Sequence, residues 1–138
     1  NDPVEAEKSF HRALELNPQA ARAHAGLAEV MLGGGKHAEA IAEAKAAIEA
    51  GDDSAAIYAL LGEAQTLSGK YDESLDSLNE ALKREPKNAI ALRRRAEVYL
   101  ARNDLKAAIE DLRASADTEP TIPNRIRLAG ALAAAQVA

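Results

Sequence analysis

Pro18, Pro86 and Pro120 stand 68 and 34 residues apart, and 34 residues is the span of a helix-turn-helix repeat. Proline cannot continue a helix and restricts the residue before it, so a proline recurring at one phase marks where one helical pair ends and the next begins. A chain built on that period has to stack its pairs along one direction, because a single pair cannot bury its apolar face alone.

Shifting the sequence by one period exposes the rest of the pattern. Ala6, Ala40, Ser74 and Ala108 fall in one column; Ala13, Ala47, Ala81 and Ser115 in a second; and Ala28, Gly62, Ala96 and Gly130 in a third. Medium apolar residues supply further columns, such as Leu14, Ile48 and Leu82, or Ile41, Leu75 and Ile109. Composition agrees with columns of small residues. The chain is 47% hydrophobic but holds one Phe, three Tyr and no Trp, so its core must come from close approach of alanine-rich helices rather than from bulky side chains.

Within each period the apolar spacing is helical and the breaks are short, which predicts helices over 3–16, 21–32, 37–50, 54–67, 71–84, 88–101, 105–117 and 122–136. Asp2 before Pro3 suits an N-cap followed by a first-turn proline, and Ser54 can cap the helix after Gly51-Asp52-Asp53. Gly33-Gly34-Gly35, Ser68-Gly69-Lys70 and Arg102-Asn103-Asp104 occupy equivalent turns, where Gly or Asn tolerates a left-handed residue.

These residues resemble the tetratricopeptide repeat family over nearly the whole chain. Tyr58, Leu61-Gly62, Gly69, Tyr71, Ala81 and Pro86 stand where that family places its aromatic, Leu-Gly, turn, aromatic, alanine and proline signatures, and Ala6, Phe10, Ala13 and Pro18 repeat part of the spacing. Asp52 in the proline column, Ala44 in the Phe10 column and Gln65 in the Tyr99 column depart from it without changing the period. The resemblance implies an all-α, right-handed α-solenoid of antiparallel helix pairs, with about eight helices in this chain. Residues 1–20 would supply the second helix of a partial repeat, 21–54, 55–88 and 89–122 three whole repeats, and 123–138 the first helix of another. The start at Asn1 without Met, together with a half-repeat at each end, reads as a fragment of a longer array. Ile126, Leu128, Leu132 and Val137 make the last helix apolar for a solvating cap.

Arrays of this family line a concave groove with the first helices of successive repeats. The resemblance assigns that face to Arg22, Ala25, Glu29 and Leu32; to Ala56, Ala59, Glu63 and Thr66; and to Ile90, Arg93, Glu97 and Leu100. Glu29, Glu63 and Glu97 form a 34-residue ladder, and carboxylates along one groove favour a basic or amide-rich partner segment. Against that, Arg93 lies one turn from Glu97 and can pair with it locally. Chaperone-binding members hold a peptide's terminal carboxylate with Lys, Arg and Asn on these helices. Here Ala25, Ala56, Ala59 and Ile90 stand where basic groups are needed and Glu where Asn is needed, and Arg94 alone fits. A partner with a carboxylate tail is therefore disfavoured.

Consecutive helical residues point about 100° apart, so Arg93, Arg94 and Arg95 cannot form one basic patch. Arg95 shares a column with Leu27 and Leu61, facing the partner helix. Asp111 is its expected counter-ion, leaving Arg94 for the groove. His11, His24 and His37 fall on different helices, and His24 and His37 share columns with Tyr58 and Tyr71, which favours packing or edge roles over metal binding. The triple glycine lacks the preceding strand and the Lys-Ser/Thr ending of a phosphate loop. No nucleophile-base set, paired acid, cofactor motif or metal cluster emerges, so no enzyme is expected.

A net charge of −5 argues against nonspecific nucleic-acid binding, which draws on basic surface. No apolar run of about 18 residues could span a bilayer, and no direct membrane contact is expected. The absence of cysteine excludes disulfides but leaves cytoplasm and periplasm both open. The reading is a protein-protein interaction scaffold that takes a peptide segment or helix in its groove, contacted by Glu29, Glu63, Glu97, Arg93, Arg94, Ile90, Leu100 and Thr66. The alternative is an architectural module that spaces domains or self-associates through its end helices.

Overall fold

A computed structural model describes residues 2–137, apart from the side chain of Val137, which lies outside the described set together with Asn1 and Ala138. The helices are α1 (Pro3–Leu16), α2 (Ala21–Gly33), α3 (His37–Glu49), α4 (Ala55–Leu67), α5 (Tyr71–Arg84), α6 (Ala89–Ala101), α7 (Leu105–Thr118) and α8 (Ile122–Val137). Each boundary falls within a residue or so of the predicted one. The starts follow from capping: Asp2 Oδ1 accepts the Val4 N–H at 3.0 Å, Ser54 Oγ accepts the Ile57 N–H at 3.3 Å, and Asn88 Oδ1 accepts the Ala91 N–H at 2.9 Å.

Two kinds of helix ending alternate. Gly35, Gly69 and Asn103 are left-handed, at φ 75°, 73° and 60°. Just beyond them Lys36, Lys70 and Asp104 donate their N–H groups back to Met31, Gln65 and Tyr99 at 2.8–2.9 Å, which closes the last turn of α2, α4 and α6. The ends of α1, α5 and α7 instead carry the extended residues Asn17, Glu85 and Glu119, the conformation favoured before the prolines that follow. The departure at Asp52 from the proline column gives α3 an ending of its own: Gly51 takes φ 104° and the Asp52 N–H donates to Ala47 O at 3.0 Å.

Small residues let the helices touch. Ala40, Ser74, Ala108, Ala47, Ala81, Ala28 and Ala96 are fully buried. At Gly62 a Cβ would lie 2.5 Å from Leu78 Cδ2, so only glycine permits that approach of α4 to α5. The α2/α3, α4/α5 and α6/α7 pairs form the densest interfaces, and α4 also packs on both α2 and α6, whereas α3, α5 and α7 do not touch one another. The layer in mutual contact is the shorter one, so the stack curves with α2, α4 and α6 on its inner side.

One column supplies a polar latch between the layers. Glu43, Ser77 and Asp111 stand 34 residues apart, and each reaches a different position on the facing helix. Glu43 meets His24 Nδ1 at 2.7 Å, Ser77 Oγ donates to Gln65 Oε1 at 2.7 Å, and Asp111 accepts from Arg95 Nε at 2.7 Å and Nη2 at 2.8 Å.

Candidate peptide-binding groove

Helices α2, α4 and α6 enclose a cleft of about 600 Å³ on the inner layer. Its walls are Leu32, Ala56, Leu60, Leu67 and Ile90, with Glu29, Glu63 and Arg94 as the charged groups. Leu67 is 44% and Ile90 41% exposed, large apolar surface held open to solvent on facing helices.

The predicted site residues divide. Glu29, Glu63, Ile90 and Arg94 meet at this cleft. Glu97 adjoins it through Arg94, while Leu100 is exposed farther along α6, outside the cleft lining. Thr66 does not reach the groove. It is buried between α4 and α5, where Oγ1 donates to Gly62 O at 2.8 Å and meets Ser74 Oγ at 2.6 Å. From Glu63 the helix offers both the third and the fourth residue as neighbours, and the fourth, Leu67, faces the cleft. Leu60, Leu67 and Asn88 belong to the lining although the sequence reading passed over them. The signal available in the sequence was an apolar Leu67 one helical turn from Glu63 and next to the Ser68-Gly69 turn.

The expected local pair of Arg93 with Glu97 is replaced by Arg94. Its Nη1 donates to Glu97 Oε2 at 2.8 Å and its Nε to Glu63 Oε1 at 3.1 Å, with Nη2 on the same Glu63 oxygen. Glu63 on the neighbouring helix draws Arg94 across, which a helical wheel of α6 alone does not reveal. Burial opposes the Arg94 charge, but the bonds to Glu97 and Glu63 outweigh it and raise its pKa above the ordinary arginine value. Arg93 is half-buried and joins no ion pair among the described residues. The ladder is therefore uneven: two of its carboxylates share one guanidinium, and Glu29 is exposed with no ion-pair partner among the described residues.

Arg95 turns away from the groove to Asp111, as its column predicts, and also donates to Asn79 Oδ1 at 2.9 Å. The three histidines lie on α1, α2 and α3; of the triple glycine, Gly33 ends α2 and Gly34-Gly35 make the α2–α3 turn. Among the described residues no helix is long and apolar enough to cross a membrane.

Curved stacking of helix pairs on a 34-residue period, with an apolar cleft in the inner layer, defines a right-handed helical-repeat solenoid. Two tetratricopeptide repeat profiles match the sequence, one over residues 1–64 and the other over 60–121. The chain belongs to the tetratricopeptide repeat family, whose arrays are typically non-enzymatic protein-interaction modules. No curated protein sequence matches it. Among solved structures, a crystal structure of MamA superposes with a TM-score of 0.87 at 20% identity, covering 98% of this chain and 80% of that one. The first tetratricopeptide repeat domain of Spaghetti (RPAP3), bound to the HSP90 peptide SRMEEVD, gives 0.79 at 19% identity, covering 86% and 94%. At these identities the likeness concerns the fold.

Proposed function

We propose that this chain is an interaction scaffold that receives a peptide segment or helix of a partner protein in its concave groove. Residues 21–54, 55–88 and 89–122 act as three whole repeats, 1–20 as a second helix and 123–138 as a first helix. The observation that carries the reading is the open apolar cleft between α2, α4 and α6, with Leu67 and Ile90 solvent-exposed on its walls. The Spaghetti (RPAP3) domain, similar in fold, is bound to a peptide, which supports a peptide as the occupant. That ligand's acidic tail does not carry over: Arg94 is the one match to a carboxylate clamp here, and Glu63 and Glu97 already hold it. The test is hydrogen exchange of the chain with a captured partner. Added protection confined to α2, α4 and α6 is expected, and protection confined to α3, α5 and α7 would reject the groove.

Self-association is the second reading, favoured by α8. Ile122 is 74%, Ile126 65% and Leu132 37% exposed there, and nothing approaches Gly130. Leu128, by contrast, packs against the α7 core. A mass that rises with concentration and falls back when Ile126 and Leu132 are made polar supports this reading; a strict monomer removes it.

A further inference from the structure

The groove does not read charge along its whole length. In the cleft Arg94 offsets one of the two carboxylates that grip it, its donors are directed at Glu63 and Glu97, and both glutamates lose reach toward a ligand. Glu29 differs on each count: it is exposed, outside every ion pair of the described residues, and on the rim of the same cleft that Leu32, Leu60, Leu67 and Ile90 line. Apolar walls and a free carboxylate thus meet at one place, between α2 and α4.

We infer that this cleft recognises a partner segment carrying a large aliphatic or aromatic side chain with a Lys or Arg within about one helical turn of it. The apolar side chain fills the space between Leu60, Leu67 and Ile90, and the cation meets Glu29. Acidic segments are turned away by Glu29 and by the net negative triad of Glu63, Arg94 and Glu97. This inference rests on the groove reading and narrows it from an acidic ladder to one apolar seat with one reading charge.

Selection from a random dodecapeptide library tests it, run in parallel on the native chain and on the Glu29→Lys and Ala56→Trp variants. Ala56 is exposed on the cleft wall, so Trp there fills the cleft without removing a buried contact. The native chain is expected to enrich peptides pairing a bulky apolar residue with Lys or Arg, by about tenfold over acidic counterparts. Ala56→Trp should abolish the enrichment, and Glu29→Lys should exchange the basic residue for Asp or Glu. Circular dichroism melts confirm that both variants fold. Enrichment that Ala56→Trp abolishes but that shows no basic residue, or keeps it in Glu29→Lys, rejects this inference and leaves the groove standing. Enrichment that survives Ala56→Trp, or no enrichment at all, rejects both.

Discussion

Arg95 lays its guanidinium edge against the carboxylate of Asp111 across the α6–α7 interface, Nε to Oδ2 at 2.7 Å and Nη2 to Oδ1 at 2.8 Å. Asp111 is 6% exposed, so that fork stands in for the water its carboxylate has lost, and the bond to Asp111 holds the Arg95 pKa above the usual value even though burial opposes it. Removing one partner leaves the other largely desolvated. Asp111→Ala is expected to destabilise the fold by about 2–4 kcal/mol, read from urea unfolding, whereas replacing both by Leu should recover most of the loss. A change within error for the single variant would show that the pair is merely positional.

Gly62 and Gly130 share one column and should answer Gly→Ala with opposite signs. At Gly62 the new methyl would stand 2.5 Å from Cδ2 and 2.6 Å from Cγ of Leu78, which is fully buried and cannot move aside. Overpacking there is expected to cost about 1–3 kcal/mol. At Gly130 nothing lies within 4 Å, so Ala gains helix propensity and should stabilise by up to about 1 kcal/mol. Two melts decide it, and equal shifts would contradict the packing argument.

The same column shows what periodicity carries and what it omits. The period fixes phase, so helix ends at Pro18, Pro86 and Pro120 and left-handed turns at Gly35, Gly69 and Asn103 are legible in the sequence. Phase does not say which of two helical neighbours faces a cleft. Thr66 and Leu67 exchange roles for that reason, and Arg94 rather than Arg93 reaches Glu97 because Glu63 on another helix pulls it over. Of the polar column Glu43, Ser77 and Asp111, the sequence pattern points only to the pairing of Asp111 with Arg95. The partners of Glu43 and Ser77, His24 and Gln65, sit at unlike positions of the facing helices and emerge only from packing.

His24 makes the first of those latches sensitive to pH. Its Nδ1 faces Glu43 Oε2 at 2.7 Å and its Nε2 faces the Pro18 carbonyl at 3.0 Å, so only the imidazolium can donate to both. Burial lowers its pKa, but the bonds to Glu43 and Pro18 and the Glu43 charge prevail, and the net shift is upward from 6.5. The folded state therefore binds the proton more tightly than the unfolded one. The resulting stability is fully present below about pH 6.5, the unfolded value, and is lost as pH rises through the folded pKa. Melting temperatures from pH 5.5 to 8.5 should show this component in the native chain and lack it in His24→Tyr and Glu43→Gln; an unchanged slope in both variants would assign it elsewhere.

Asp52 predicts that restoring the repeat's own residue does harm. At α1, α5 and α7 the residue before proline is extended, with ψ 96°, 90° and 89°, and its N–H closes the helix onto Ala13, Ala81 or Ser115 at 2.8–2.9 Å. No N–H is required of the proline. At α3 that closing bond comes from Ala50 to Ala46 at 2.9 Å, Ala50 stays near ψ 2°, and the Asp52 N–H adds a bond to Ala47 O at 3.0 Å. Proline at 52 deletes that donor and puts its ring against the turn that Gly51 makes at φ 104°. Asp52→Pro is expected to destabilise by about 1–3 kcal/mol. Asp52→Ala loses only the acceptor for the Ser54 N–H, now at 3.0 Å, and should cost about 1 kcal/mol or less. Urea unfolding of the two variants separates backbone from side chain: a proline variant as stable as the native chain would mean that this loop can adopt the ending of its neighbours.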